Sequence, residues 1–543
     1  MKHVPAILGL VALVSASPIS IRQNNSTTNS SADSFADVPV TKDLKWKTCM
    51  GGNFSCLNLE VPLDYEHPEI GNTNIAFLRY EASVQPALGD IIINPGGPGG
   101  SGVATLLKPR GWTSMLGDRY NLIGMDPRGV NNSGPNVDPL VETPATRNNY
   151  AFELNFEFDP KSPVAVKNTF VHAGAYGDYA SQKLTDDVNY VNTPAVARDM
   201  LHYVELLAES QGEDKTSAKL NFFGVSYGSI LGTTFAQLYP ERVGRMVIDG
   251  VMEASDYYDG AWTKSVNQAD DAVRAFTSQC FDAGSNCAFF ANDTSPGAIL
   301  QRLDTILRDI EQNPMSVAEP DLLATPTVLN HMDVRNLLLV SSYSSYANFP
   351  FLAQVLAELE QGNGTSLAVV SSKGTIQPAE CDGTVPAYNI ALSKFATACN
   401  DMDGRHNISS VEQFEDYIRE LESVSTYLGA PWAKVMALYC RELQFSPPHV
   451  SEILLTAYKE TQTSPILFVS NTIDPVTSSL EEMIKFFPGA GSFYQNAVGH
   501  GTLITKSNCT SEHMIRYVET GELPPPGLVC EPDTKVFPDA GAV

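Results

Sequence analysis

Leu220-Asn221-Phe222-Phe223-Gly224-Val225-Ser226-Tyr227-Gly228-Ser229-Ile230-Leu231-Gly232-Thr233-Thr234-Phe235-Ala236-Gln237-Leu238-Tyr239 sets one G-x-S-x-G pentapeptide between a short apolar run and an apolar segment of helical length. Strand, tight turn, helix is the setting in which a serine hydroxyl is lifted clear of a sheet edge as a nucleophile elbow. The glycines at 224 and 228 leave room for backbone that must pass close to the serine. Ser226 is therefore the candidate nucleophile.

Working outward, short apolar runs alternate with helix-length segments. Ile91–Ile93, Leu122–Met125, the run ending at Phe223, and Met246–Ile248 read as buried parallel strands, and Ala195–Glu209 between them has helical spacing. The pattern resumes late in the chain with Ile466–Val469 and Ser492–Val498. Such alternation predicts an α/β fold with a mostly parallel sheet and helices on both faces. Leu57–Val61 and Asn74–Tyr80 read as an antiparallel entry to that sheet. Between Val251 and Thr463 long amphipathic stretches such as Ala298–Ile310 and Val411–Tyr427 replace strand-like runs, which predicts an inserted, mainly helical cap. The expected division is a signal peptide at 1–16, a disordered leader at 17–40, an α/β core at 41–250 and 464–543, and the cap at 251–463.

A chain of 543 residues with 43% hydrophobic content can bury a large core. Its net charge of −27 argues against nucleic acid and anionic membrane as partners. Lys2 and His3 precede an apolar stretch, Val4–Val14, that is too short to span a bilayer, with small residues at Val14-Ser15-Ala16. This reads as a secretory signal, so the mature protein is expected to be secreted and extracellular. The Asn-, Ser- and Thr-rich stretch after it reads as the leader.

Export gives the nine cysteines an oxidising compartment, and an odd count leaves at least one unpaired. Cys49 with Cys56, Cys280 with Cys287, Cys509 with Cys530 and, at longer range, Cys399 with Cys440 are expected pairs, leaving Cys381 free. Spacing alone does not fix this connectivity. No C-x-x-C and no His pair at ligand spacing points to a metal. Nine N-x-S/T sequons begin at Asn24, Asn25, Asn29, Asn53, Asn131, Asn292, Asn363, Asn407 and Asn508, and in a secreted protein several should carry glycan.

A serine hydroxyl needs a base, normally a histidine held by a carboxylate. Asp474 follows the strand at 466–470, and His500 stands between Gly499 and Gly501 just after the next strand. Both fall at carboxyl ends of strands, where open α/β sheets build their sites, and in the order Ser, Asp, His. The glycine-rich run Asn94–Gly102 follows the strand Ile91–Ile93. It lacks the G-K-[ST] ending of a phosphate loop, and its prolines remove donors. It suits an oxyanion hole instead, built from the backbone N–H groups of Gly97 and Tyr227.

These motifs resemble the secreted tripeptidyl aminopeptidase group, related to prolyl aminopeptidases, within the serine α/β-hydrolases. The resemblance runs from Trp46 to Cys530 through Cys49…Cys56, Val61-Pro62-Leu63-Asp64-Tyr65, the Asn94–Gly102 loop, Asp126-Pro127-Arg128-Gly129, Thr193…Ala197-Arg198-Asp199-Met200, the elbow, Pro240–Gly250 and Asp474-Pro475-Val476-Thr477. The chain departs from the pattern at Ser478, where a proline is common, and at Asn131-Asn132-Ser133, where a glycine is expected. Asp126, Arg128, Asp199 and Asp249 belong to these motifs but read as structural ion pairs or caps.

The resemblance implies hydrolysis near the free N-terminus of a peptide through an acyl-enzyme, with no cofactor. An aminopeptidase needs a carboxylate for the substrate ammonium, and Glu253, Asp256 and Asp401 are the candidates. A cap restricting entry favours an exopeptidase. The alternative is a carboxylesterase for small or lipid-derived esters, which would line the amine position with apolar groups. The substrate is thus a peptide or small ester, while the oligomeric state is not encoded legibly. A non-catalytic binding protein is disfavoured by the intact Ser226, Asp474 and His500, and haloalkane- or epoxide-type chemistry by serine rather than aspartate at 226. The base must be neutral to act, so activity should decline in acid.

Overall fold

The computed structural model describes residues 34–141, 158–323, 325–371, 388–448 and 464–538. The expected signal peptide, most of the leader and Cys381 lie outside the described residues.

Thirteen strands are described: β1 Val40–Thr41, β2 Lys47–Cys49, β3 Phe54–Pro62, β4 Asn72–Tyr80, β5 Asp90–Asn94, β6 Asn121–Asp126, β7 Leu220–Val225, β8 Val243–Asp249, β9 Met315–Val317, β10 Thr327–Leu329, β11 Leu467–Ile473, β12 Gly491–Val498 and β13 Val529–Cys530. Eleven form one sheet in the order β1-β3-β4-β6-β5-β7-β8-β11-β12-β13, with β2 paired to β3. From β6 to β13 every pairing is parallel, and β3–β4 and β4–β6 are the antiparallel entry. The central strands are apolar on both faces because helices cover both. Adjacent residues divide between two cores: Ile92, Phe222 and Ile248 on one side, and Ile91, Ile93, Phe223 and Val247 on the other. This is the α/β-hydrolase architecture.

Between β8 and β11 the described chain is helical apart from the small β9–β10 hairpin. The helices Pro296–Gln312 and Val411–Val424 lie where the amphipathic stretches place them; each is capped by a serine, Ser295 and Ser410, whose hydroxyl accepts a backbone N–H of the first turn. Their apolar faces join the first core. The helix Pro163–Lys183, which the expected boundaries assign to the core, packs against the cap. Arg441 stacks on the Phe170 ring at 3.9 Å and donates to the Phe170 carbonyl, and a Cβ at Gly174 would collide with its guanidinium.

The leader is a correction. Its last residues, Ser34–Val40, are ordered: Phe35 and Val38 are buried in the second core, and Asn58 donates to both of their carbonyls. Two apolar residues in a polar stretch suffice to dock it. The four expected disulfides are present, Cys49–Cys56, Cys280–Cys287, Cys399–Cys440 and Cys509–Cys530. Among the described residues no helix is long and apolar enough to cross a membrane.

Candidate active site

β7 ends at Val225, and the helix Tyr227–Leu238 begins one residue later. Ser226 makes this turn at φ +61°, ψ −123°, a backbone conformation that L-residues rarely adopt. Glycines make it possible: a Cβ on Gly224 would lie 2.2 Å from the Gly228 carbonyl oxygen, and one on Gly228 would lie 2.8 Å from that of Asn94. The Ser226 N–H donates to the Asp249 carbonyl at 3.0 Å, which fastens the elbow to the end of β8.

The glycine-rich loop lies directly across the elbow. A Cβ on Gly96 would meet the Val225 oxygen at 2.4 Å, the Ser226 Cβ at 2.7 Å and the Tyr227 nitrogen at 3.1 Å. Tyr227 opens its helix, so its N–H has no intrahelical acceptor. Gly97 and Ser226 line one cavity of about 180 Å³. The loop is held from behind by Asp126, whose carboxylate accepts from the Ser101 hydroxyl at 2.5 Å and from the Val103 N–H. Burial pushes the Asp126 carboxyl up. Asn131 and Asn132 also donate to Asp126, and Asn131 stands at φ +48°, the left-handed region that the expected glycine would occupy.

β11 delivers Asp474 and β12 delivers His500. Asp474 is fully buried, and its carboxylate accepts from the N–H groups of Val476, Thr477 and Gly501 and from the Thr477 hydroxyl. His500 Nδ1 stands 3.1 Å from Asp474 Oδ1 and 3.1 Å from Thr477 Oγ1. The His500 N–H donates to the Tyr343 carbonyl at 2.9 Å, and the Tyr343 ring meets the imidazole edge-on with centroids 5.2 Å apart. The loop bearing His500 returns to the elbow through Asp249, whose carboxylate accepts the N–H and hydroxyl of Thr502. A Cβ on Gly501 would lie 2.9 Å from Val225, so elbow and histidine loop touch. Burial, reinforced by the nearby Asp474 charge, pushes the Asp249 carboxyl up to about 6.

The structure uses the three amine candidates elsewhere, and none lines this cavity. Glu253 caps the helix Ala254–Asp259, accepting from the Asp256 N–H, and pairs with Lys264. Asp256 accepts from the N–H groups of Thr263 and Lys264. Asp401 is fully buried and holds the Thr193 N–H and hydroxyl and the Tyr257 hydroxyl, a cluster that also reaches Tyr227 Oη. Three donors from the surrounding scaffold thus engage this cap acid. The family-motif charges are structural too: Arg128 and Asp199 form a fully buried bidentate pair.

What sequence reasoning missed are the cavity's walls. Trp262, Tyr343, Trp432 and Lys394 come from separate cap segments, and no motif marks them. The wider cleft lined by residues of 48–55, 80–81 and 107–111 contains none of the residues above.

Residues 91–296 match the family model described as alpha/beta hydrolase fold, and residues 425–530 match that described as TAP-like protein. The chain is 23% identical over 510 residues to the serine protease Hip1 of Mycobacterium tuberculosis, covering 91% of this chain and 92% of that protein. It is 28% identical over 273 residues to the tripeptidyl aminopeptidase of Streptomyces lividans, covering 46% of each. It is also 29% identical over 153 residues to carboxylesterase B of M. tuberculosis, covering 27% of each. With this fold and these matches, the chain is a serine hydrolase of the peptidase class with the α/β-hydrolase fold, and its C-terminal part is similar to TAP-like proteins.

Proposed function

We propose that the chain is a secreted exopeptidase that releases short peptides from a free N-terminus, with Ser226 as nucleophile, His500 as general base and Asp474 as its orienting carboxylate. The observation that carries this reading is the fastening of three strand ends together: Asp249 binds the Ser226 N–H with its carbonyl and the His500 loop with its carboxylate. Asp474 occupies His500 Nδ1, which leaves Nε2 to take the proton from the serine hydroxyl. Oγ then bonds to the scissile carbonyl carbon, and the N–H groups of Gly97 and Tyr227 receive the oxyanion. The imidazolium gives its proton to the leaving amine as the C–N bond breaks. Water, deprotonated by the same imidazole, cleaves the acyl-enzyme.

The small cavity walled by Trp262, Tyr343 and Trp432 suits a chain end rather than a chain running through. An enzyme removing one residue needs a carboxylate within ion-pair reach of the amine beside the scissile carbonyl, and among the described residues none that lines the cavity is acidic. Removing three residues places the ammonium roughly 7 Å further out. The tripeptidyl type is therefore favoured over the prolyl type, in line with the Streptomyces relative. The four disulfides fit an oxidising compartment.

The apolar part of the lining, with Met252, Trp262, Trp432 and Val435, favours the second reading, a carboxylesterase. Fluorogenic tripeptidyl and aminoacyl amides, their N-acetylated copies and p-nitrophenyl esters separate the two, with Ser226→Ala as the blank. Cleavage of free-amine tripeptidyl amides but not acetylated ones is expected. Turnover of esters alone would overturn the peptide reading.

A further inference from the structure

Among the described residues, the cavity beside Ser226 has one charged side chain in its lining, and it is a cation, Lys394. Lys394 stands in the second turn of the helix Ile390–Met402, whose first residues, Ile390 and Ala391, line the same cavity. That helix is fixed against the site. A Cβ on Gly99 would lie 2.9 Å from the Lys394 backbone nitrogen, and Ser393 donates to the Gly129 carbonyl at 2.5 Å. At its far end Asp401 and the Cys399–Cys440 bridge tie it down.

The Lys394 ammonium has no carboxylate within ion-pair distance among the described residues. Its recorded neighbour is the Phe395 ring, with the centroid 5.6 Å from Nζ. Burial alone lowers its pKa to about 8, so about nine in ten molecules still carry the charge at pH 7. A part-buried ammonium with no carboxylate beside it among the described residues is poorly compensated, and a bound anion relieves it. The helix N-terminus at the cavity wall adds partial positive charge of the same sign. Peptides supply one common kind of anion, the carboxylate.

We propose that Lys394 determines specificity by pairing with a carboxylate of the substrate next to the scissile bond. The inference rests on Ser226 being the nucleophile. Two sources share this chemistry: an Asp or Glu side chain on the residue whose carbonyl is attacked, and the terminal carboxylate of a short peptide on the leaving side. The site therefore selects acidic or short peptides, and the substrate ammonium binds elsewhere.

Two substrate pairs test this and separate the sources. Ala-Ala-Glu and Ala-Ala-Gln aminomethylcoumarin amides probe the side chain, and tetra-alanine with a free or amidated C-terminus probes the terminus. For one pair, the acid-over-neutral ratio of kcat/KM should exceed one in wild type and fall roughly tenfold or more in Lys394→Met. Lys394→Arg should keep the preference, and Lys394→Glu should reverse it. Should Lys394→Met fail to fold, competitive inhibition of the wild type by Ala-Ala-Glu against Ala-Ala-Gln, and by free against amidated tetra-alanine, gives the same reading, with the carboxylate-bearing member of one pair binding more tightly. A wild type that reacts with a fluorophosphonate at Ser226 yet shows no preference in either pair overturns the role of Lys394 and leaves the nucleophile standing. A wild type that neither reacts nor cleaves any peptide overturns both.

Discussion

The carbonyl oxygen of Asp249 accepts the Ser226 N–H at 3.0 Å, while the carboxylate of the same residue, fully buried, holds Thr502 two positions beyond His500. One residue at the end of β8 thus sets the spacing between the elbow on β7 and the loop after β12. Truncation in Asp249→Ala would strip both Thr502 donors of their acceptor while leaving the backbone bond to Ser226. Each buried orphan costs about 1–3 kcal/mol, so a stability loss of roughly 2–6 kcal/mol is expected in urea unfolding. In peptide hydrolysis kcat should drop more than KM changes, because the misplaced partner is the proposed base. Asp249→Asn, which keeps one acceptor oxygen, should fall between. An Asp249→Ala protein with wild-type kcat would remove this residue from any role in alignment.

Ser226 stands at φ +61°, and the strain belongs to its Cβ rather than its hydroxyl. Ser226→Ala and Ser226→Gly should both be inactive, yet the glycine variant should be the more stable by about 1 kcal/mol, since only it relieves the backbone. This reverses the usual order for a residue entering a helix. Equal unfolding midpoints for the two would mean the turn relaxes once the hydroxyl is gone.

The proposed triad can be read from the sequence because its parts are short-range. A strand, a turn and a helix within twenty residues give Ser226, and single loops after single strands give Asp474 and His500. The structural partners of the amine candidates are less legible. Glu253 is followed three residues later by a backbone N–H that it caps, and Asp401 reaches Thr193 across the cap, so the carboxylates are consumed by structure. Nor does any motif reveal Lys394, Trp262 or Trp432, whose meeting depends on how cap helices pack. The order of Phe35 and Val38 was hidden by their polar neighbours.

Cys399–Cys440 closes 41 residues and joins the helix carrying Lys394 to the segment that follows Trp432 and Val435, which line the same cavity. In the chain-entropy account, losing a loop of this size costs about 4 kcal/mol. Replacing both cysteines by serine should lower the unfolding midpoint and raise KM for peptides more than it lowers kcat, because the pocket walls separate while the elbow stays put. Removal of Cys49–Cys56, remote from the cavity, should leave KM unaltered. If the two double variants shift KM alike, the bridge has no particular hold on the pocket.

Asp249, Asp256 and Asp401 each have a carboxyl raised to about 6, in every case chiefly by burial. In the unfolded chain the same groups titrate near 4. Between those values the folded protein retains protons that the unfolded chain has lost, so stability falls as pH rises across the window. The contribution is full below about pH 4 and gone above about pH 6. Asp401 isolates it best, being fully buried and away from the cavity lining. Asp401→Asn cannot ionise. The stability advantage of wild type over this variant should shrink by roughly 1–3 kcal/mol between pH 4 and pH 7, whatever constant offset the amide introduces. Urea unfolding of both proteins at pH 4, 5.5 and 7 measures it. Parallel curves would mean that the Thr193 and Tyr257 donors hold Asp401 ionised throughout.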